Sequence, residues 1–288
     1  MASLKEVKGR IASVNNTRKI TSAMKMVASA KLHKAQAAIE SMLPYERRLH
    51  HILTDFMSNC TEVTSPFIVK REVKRVAVVV FASNTSLCGG FNANVIRHLV
   101  DLLAEYKPLG LENILVFPVG KKVADAIRKL GFRIEGDFQH MADKPSYQEA
   151  ADLATDLMKR FLHGDVDKVE LLYNHFKSTA SQILTRETYL PIDLNNEKKK
   201  EKEKTIDYIL EPSAEELMQD MLPKVLRMKM FTVLLDSNAA EHAARTMAMQ
   251  IATDNANELL QELTVMYNKS RQQAITNELL DIVGGSMA

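Results

Sequence analysis

Two kinds of hydrophobic pattern divide the chain. Residues 3–57 hold no Gly after Gly9, a single Pro at position 44, and much Ala, Lys, Met and Leu. From Ala35 apolar positions recur at Ala35, Ala38, Met42, Tyr45, Leu49, Ile52 and Phe56. Those steps of three and four predict a helix with a heptad seam. Extended backwards, the register meets Thr17, Thr21, Met24, Ala28 and Lys31, so the seam there is small and polar. A helix of about 55 residues would be ~80 Å long, with Pro44 bending it or breaking it locally.

Past residue 58 the pattern changes. Ser58, Asn59, Thr61, Thr64, Ser65 and Pro66 mark a linker over 58–74. The continuous apolar run Val76–Phe81 predicts a strand buried on both faces. A helix over Asn94–Lys107, a strand over Ile114–Phe117 and a helix over Lys121–Leu130 ending at Gly131 follow. Tyr147–Leu162 reads as a further helix, and Val169–Tyr173 and Gln182–Tyr189 as strands. Strands alternating with helices predict a βαβ-type domain. The run over 195–204 is a solvated charged loop. The helical signal then returns: Ser213 and Glu216 form a capping box, and Gly284-Gly285 is a stop signal. Met249, Ala252, Ala256, Leu259, Leu263 and Met266 again step by three and four. Some 70 residues would be roughly 105 Å long.

Neither long helix can bury its seam alone. The expected fold is α+β or α/β: a long antiparallel two-helix coiled coil built from 1–58 and 213–288, with an inserted Rossmann-like α/β domain at 75–192. The C-terminal helix is the longer, so its tip is expected to project beyond its partner.

Composition narrows the function. Of the 288 residues 46% are hydrophobic, 15 are Met and none is Trp, which suits long helices better than a β-sandwich. The net charge of +2 gives no strong field for nucleic acid. The distribution is uneven: residues 1–50 carry ten Lys or Arg against three acids, residues 213–288 six against ten. Cys60 and Cys88 form no pattern and read as small apolar residues of a reducing compartment. No apolar stretch reaches 18 residues, so none is expected to span a membrane. The N-terminus runs straight into the helical pattern, with no leader expected.

Chemistry of catalysis is not legible. Leu87-Cys88-Gly89-Gly90-Phe91-Asn92 follows a strand, the right place for a phosphate loop, but lacks the Lys and the second half. The glycine pair reads as a tight strand-to-helix turn. The eight His are dispersed, and His50-His51 have no ligand-type neighbour at metal spacing. No catalytic, cofactor or metal residue is expected.

Four blocks carry a resemblance. The first is Ile11-Ala12-Ser13-Val14-Asn15-Asn16-Thr17-Arg18-Lys19-Ile20-Thr21-Ser22-Ala23-Met24-Lys25-Met26-Val27-Ala28, and the second the Leu87–Asn92 turn. The third is Ala239-Ala240-Glu241-His242-Ala243-Ala244-Arg245 with Met247-Ala248-Met249 and Ala252–Ala256. The fourth is Tyr267-Asn268-Lys269-Ser270-Arg271-Gln272 continuing to Ile275–Leu279. In this order and over the whole length, they resemble the gamma subunits of F-type ATP synthases. Two departures stand out. The family's S-D/N-R-G is Ser83-Asn84-Thr85-Ser86 here, without its Arg and Gly, and Gln273 replaces the family's Ala.

The resemblance implies a non-catalytic rotor. The coil would turn inside a hexamer of alpha and beta subunits, driving the catalytic sites of beta. The α/β domain would be a foot on the membrane c-ring, with the epsilon subunit against it. The complex would couple proton flow to ATP synthesis as a peripheral assembly on the cytoplasmic face of a bacterial plasma membrane. It also implies partner contacts: Met24, Arg245, Arg271 and Gln272 towards beta, Tyr208 and Glu211 towards the c-ring and epsilon. Small residues such as Ala23, Ala28, Ala30, Ala243, Ala244, Ala248 and Ala252 would give the shaft a smooth surface. Two other readings stay open, a coiled-coil scaffold and a nucleotide-binding α/β enzyme with helical arms. The first leaves the inserted domain unexplained, and the second needs a phosphate loop.

Overall fold

A computed structural model describes residues 4–59, 65–192 and 214–286. Two long helices frame it: α1, Leu4–Asn59, and α6, Ala214–Ser286. Between them lie β1 Val76–Phe81, α2 Phe91–Tyr106, β2 Ile114–Val119, α3 Lys121–Leu130 and β3 Arg133–Ile134. There follow α4 Gln139–Asp143, α5 Tyr147–His163, β4 Lys168–Ser178 and β5 Ser181–Leu190.

The strands form one sheet in the order β3-β2-β1-β4-β5. β1 pairs in parallel with β2 and β4, β2 in parallel with β3, and β5 is antiparallel to β4. Every residue of β1 and of β2 is buried, as the continuous apolar run implies for a central strand. Alternate residues split between two cores. Ala77, Val79, Phe81, Phe117 and Leu171 meet α5 and the lower part of α6, through Leu157, Phe161, Leu222 and Met230. Val76, Val78, Val80, Ile114 and Val116 meet α2 and α3, through Leu99, Leu103 and Ile127. One side of the sheet is therefore sealed by the shaft itself. At the end of β2, Gly120 has φ +117°, and a Cβ there would sit 2.1 Å from the Ala82 carbonyl oxygen. Only glycine fits.

The buried Glu170 of β4 lies in the α2-side layer. Lys168 reaches it at 2.6 Å and Arg186 at 2.9 Å, and Arg186 also holds Glu105 at 2.7 Å. Burial alone would raise the Glu170 carboxyl. Hydrogen bonds from Arg186 and then Lys168 outweigh that and hold it below the usual carboxylate value.

The coil is antiparallel. Thr21 and Thr253 share a hydroxyl hydrogen bond at 2.8 Å, and Arg18 Nη1 donates to Asn257 Oδ1 at 3.3 Å. Further along, Leu32 and Ala35 pack on Ala239 and Ala243. The seam differs from the sequence reading by one residue at every second position. On α1 the inward row is Val7, Ile11, Val14, Arg18, Thr21, Lys25, Ala28, Leu32, Ala35, Ile39 and Met42. Lys31 and Tyr45, expected in the seam, are exposed, while Leu32 is buried. On α6 the row is Met249, Thr253, Ala256, Leu260, Leu263, Tyr267, Ser270 and Ala274, and Leu259 and Met266 face water. The alternation of three and four is right, but its phase is reversed. Apolar residues stand on both sides of the true seam, so periodicity alone cannot choose between the two phases.

Other expectations also shift. α1 runs through Pro44 without a break. Pro44 and Glu40 are both exposed, so water can take the hydrogen bond that the missing N–H denies to the Glu40 carbonyl. α2 begins three residues earlier than expected, at Phe91, and β4 reaches Ser178. The short β3 and α4 had no sequence reading; two and five residues are too few for a periodicity. The capping box at Ser213, Cys60 and the charged run 195–204 lie outside the described residues.

Candidate functional site

Three surfaces of the coil carry the chemistry on which a partner could act. The first is a band around its middle. The Thr21–Thr253 pairing brings Ile20, Met24 and Val27 of α1 level with Met247 and Ile251 of α6. Ile20 is 59% exposed, Val27 60%, Ile251 49% and Met24 40%. The expectation of a smooth, small-residue outer surface is corrected here. Ala28, Ala243 and Ala244 are buried, where they let the helices approach closely, while Ala23 and Ala30 are exposed as expected and Ala248 and Ala252 are half-buried. The outside carries large apolar side chains instead. An apolar band of this kind on a helix pair is the mark of a contact surface.

The second surface is the end of α6. The antiparallel register brings the start of α1 level with about residue 270 of α6. Beyond it Ile275, Leu279, Leu280, Ile282 and Val283 are all about half exposed or more. Arg271 and Gln272 stand exposed where the overhang begins. The projecting tip expected from the helix lengths is therefore present.

The third is the junction between the coil and the sheet. Here the loop after β1 folds over α6. Ser83 Oγ donates to the Thr85 carbonyl at 2.6 Å, and Asn92 Nδ2 donates to Ser83 Oγ at 2.7 Å. Asn84 ties the loop to two neighbours: its Oδ1 accepts the Lys121 N–H and its Nδ2 donates to the Gln139 carbonyl, both at 2.8 Å. Leu87 sits at φ +69° and Gly89 at +59°. The turn thus stands without the Arg and Gly that Asn84-Thr85-Ser86 lack, held by side-chain amides and hydroxyls.

Arg245 lies against this loop. Its Nη2 donates to Thr85 Oγ1 at 2.9 Å and its Nη1 to Glu241 Oε1 at 2.5 Å. The Arg245 side chain is 14% exposed and that of Glu241 9%. Burial pushes the Glu241 carboxyl up, and Arg245 offsets only part of that. Burial, followed by the charges of Arg245 and Lys31, lowers His242 to about 4, so it is neutral at pH 7.

The expected partner residues therefore fall apart spatially. Met24 belongs to the exposed band, Arg271 and Gln272 to the overhang. Arg245, expected to face a partner, spends its guanidinium within the chain. Tyr208 and Glu211 lie outside the described residues. Sequence reasoning passed over Phe176 and Asp236, which join β4 to the coil; no local pattern marks either, because their partners are some 60 residues away. No helix among the described residues is long and apolar enough to cross a membrane.

Comparison with known proteins covers the whole chain. A family profile described as ATP synthase matches residues 3–288. The ATP synthase gamma chain of Phocaeicola vulgatus is 82% identical, over 100% of both chains. That of Bacteroides thetaiotaomicron is 64% identical over 100% of both, and that of Flavobacterium johnsoniae 43% over 100% of this chain and 99% of its own. Among solved structures, a chain of the Euglena gracilis mitochondrial ATP synthase (OSCP/F1/c-ring) superposes with a TM-score of 0.64. It is 20% identical and covers 99% of this chain and 93% of its own. A chain of the Tetrahymena thermophila central stalk and c-ring structure gives 0.55 at 23% identity, covering 81% and 99%. At such identities the two structures speak for the fold.

Proposed function

Since the chain belongs to the ATP synthase gamma family, we propose that its coil is the turning shaft of the enzyme and its α/β domain the foot that drives the shaft. The protein is a non-catalytic subunit of the central stalk. Catalysis resides in the beta subunits, and this chain's work is mechanical: it carries rotation between the c-ring and the catalytic hexamer, coupling proton flow to ATP synthesis.

The overhang carries this reading. A helix end with five half-exposed apolar side chains and no other described helix beside it needs a surrounding surface. A hexamer of alpha and beta subunits supplies one, gripping the tip as a bearing. The band of Ile20, Met24, Val27, Met247 and Ile251 lies lower on the shaft, where moving parts of beta would press in turn. Arg271 and Gln272 point about 100° apart on the helix, so at least one looks outward, and both would lie against an acidic loop of beta, with Arg271 taking a carboxylate at one stage of each turn. Such a contact must break every cycle and is therefore modest. Arg245 acts from within by holding the loop after β1 on the shaft. Tyr208 and Glu211 would meet the polar loops of the c-ring, with epsilon against the foot. The complex would then sit on the cytoplasmic face of the bacterial plasma membrane, attached through its membrane ring.

Purification of the native assembly tests this. The chain should co-purify with alpha, beta and epsilon and be lost when the hexamer dissociates. Isolation of the chain with unrelated coiled-coil partners, or alone with a nucleotide-dependent activity, would refute it.

A further inference from the structure

The two strands of the shaft are attached to the α/β domain in different ways. α6 is tied by a row of polar contacts. The Tyr189 hydroxyl donates to the Leu226 carbonyl at 2.8 Å, and Arg227 Nε to Thr155 Oγ1 at 3.1 Å. Lys229 pairs with Glu187 at 3.0 Å, Asn238 Nδ2 donates to the Ala142 carbonyl at 2.9 Å, and Arg245 holds Thr85. These ties span some 20 residues, about 29 Å of helix.

α1 has no comparable series among the described residues. In the apolar clusters, its contact with the α/β domain runs through one side chain, Phe176 of β4. Phe176 packs against the cluster of Leu32, Ala35, Ala239 and Ala243, with Ile39 beside it. It also packs against Cys88, Phe91, Ala240 and Ala244. One ring thus packs on the cluster that joins the two shaft helices and on the cluster at the turn that opens α2. Its backbone is pinned from behind. Asp236 Oδ1 accepts the Phe176 N–H at 2.8 Å, and its Oδ2 stands 2.6 Å from His175 Nδ1. Asp236 is on α6 and only 15% exposed. Next to Phe176 the space between α1 and β4 opens into a groove lined by Gln36, Ile39, Glu40 and Lys177.

We propose that Phe176, seated by Asp236, is the positioning residue that fixes the N-terminal helix to the foot, so that both strands of the shaft twist as one body. The inference rests on the shaft reading above. Torque entering the α/β domain reaches α6 directly through its row of ties. Among the described residues it reaches α1 through Phe176 and through the coil seam, and that seam holds Arg18, Thr21 and Lys25 in its middle. A seam that polar slips more easily than a leucine seam. Without the Phe176 wedge α1 can shear along α6 under load, and part of each step is lost as twist.

The experiment uses the assembled complex with its hexamer immobilised and a probe fixed to the α/β domain. Phe176→Ala should raise the angular variance of the probe in the nucleotide-waiting dwell by about twofold or more. Proton-driven ATP synthesis should then fall about three- to tenfold further than unloaded ATP hydrolysis. Wild-type variance, or equal losses in synthesis and hydrolysis, would overturn the proposal. Should Phe176→Ala not enter the complex, Phe176→Leu is read instead: variance above wild type supports the wedge, and wild-type variance overturns it. Failure of the unaltered chain to turn with the foot at all would instead refute the shaft reading.

Discussion

Removal of the Arg245 guanidinium should destabilise the chain by an amount that depends on pH. Arg245→Ala leaves Glu241 buried without its cation and frees the Thr85 hydroxyl. An unpaired carboxylate can escape by taking a proton. From an ordinary value of 4.5, that escape costs about 3.4 kcal/mol at pH 7 and about 0.7 kcal/mol at pH 5. The lost hydrogen bond to Thr85 adds about 1 kcal/mol at either pH. Because wild-type Glu241 is itself held above that ordinary value, these sums are ceilings, about 4.4 kcal/mol at pH 7 and about 1.7 kcal/mol at pH 5, and the expected loss lies below them, the larger at pH 7. His242 works in the same direction. Its folded value of about 4 lies below the ordinary 6.5. The stability it contributes is complete above pH 6.5 and is lost as pH falls towards 4. Arg245 is one cause of that depression, so the variant has less of this stability to lose on acidification, and the gap narrows further. The assay is urea unfolding of wild type and variant at pH 7 and pH 5, with midpoints converted at a common slope. Glu241→Gln combined with Arg245→Met should cost less than the single change, because no buried charge is stranded. A single-variant loss that is the same at both pH values, or below about 1 kcal/mol at pH 7, would show that Glu241 is not a buried charged partner.

Further outcomes follow from the same geometry. Arg271→Ala with Gln272→Ala should lower multisite ATP hydrolysis and synthesis by the assembled complex while leaving helix content by circular dichroism unchanged; equal rates would make both residues passive surface. Met24→Lys places a cation in the exposed apolar band and should slow steady-state turnover, whereas unchanged coupling of hydrolysis would remove Met24 from the contact surface. Cysteines at Tyr208 and Glu211 should cross-link to c-ring loops, and cross-links confined to alpha or beta would put the foot elsewhere. Gly120→Ala sets a Cβ 2.1 Å from the Ala82 oxygen and should cost about 3 kcal/mol or more in unfolding free energy; near-wild-type stability would mean that the turn between β2 and α3 can move.

Much of this protein was settled by local sequence. The uninterrupted helical stretches at both ends, the apolar run Val76–Phe81 and the Gly131 stop each act within a few residues, so their physics is visible in the one-dimensional pattern. The motif blocks from Ile11–Ala28 to Ile275–Leu279 did the same for the family. The phase of the seam was not legible. Choosing Leu32 over Lys31, or Leu260 over Leu259, depends on which face the partner helix presents, and that partner lies over 200 residues away. The same limit explains Arg245. In sequence it is an isolated cation on a helix. Only the fold brings Thr85 and the buried Glu241 to it and gives the cation partners within the chain. Phe176 and Asp236 are the clearest case: a strand residue and a helix residue with no motif between them become the joint of sheet and shaft, because packing, unlike helix periodicity, is decided by residues distant in the chain.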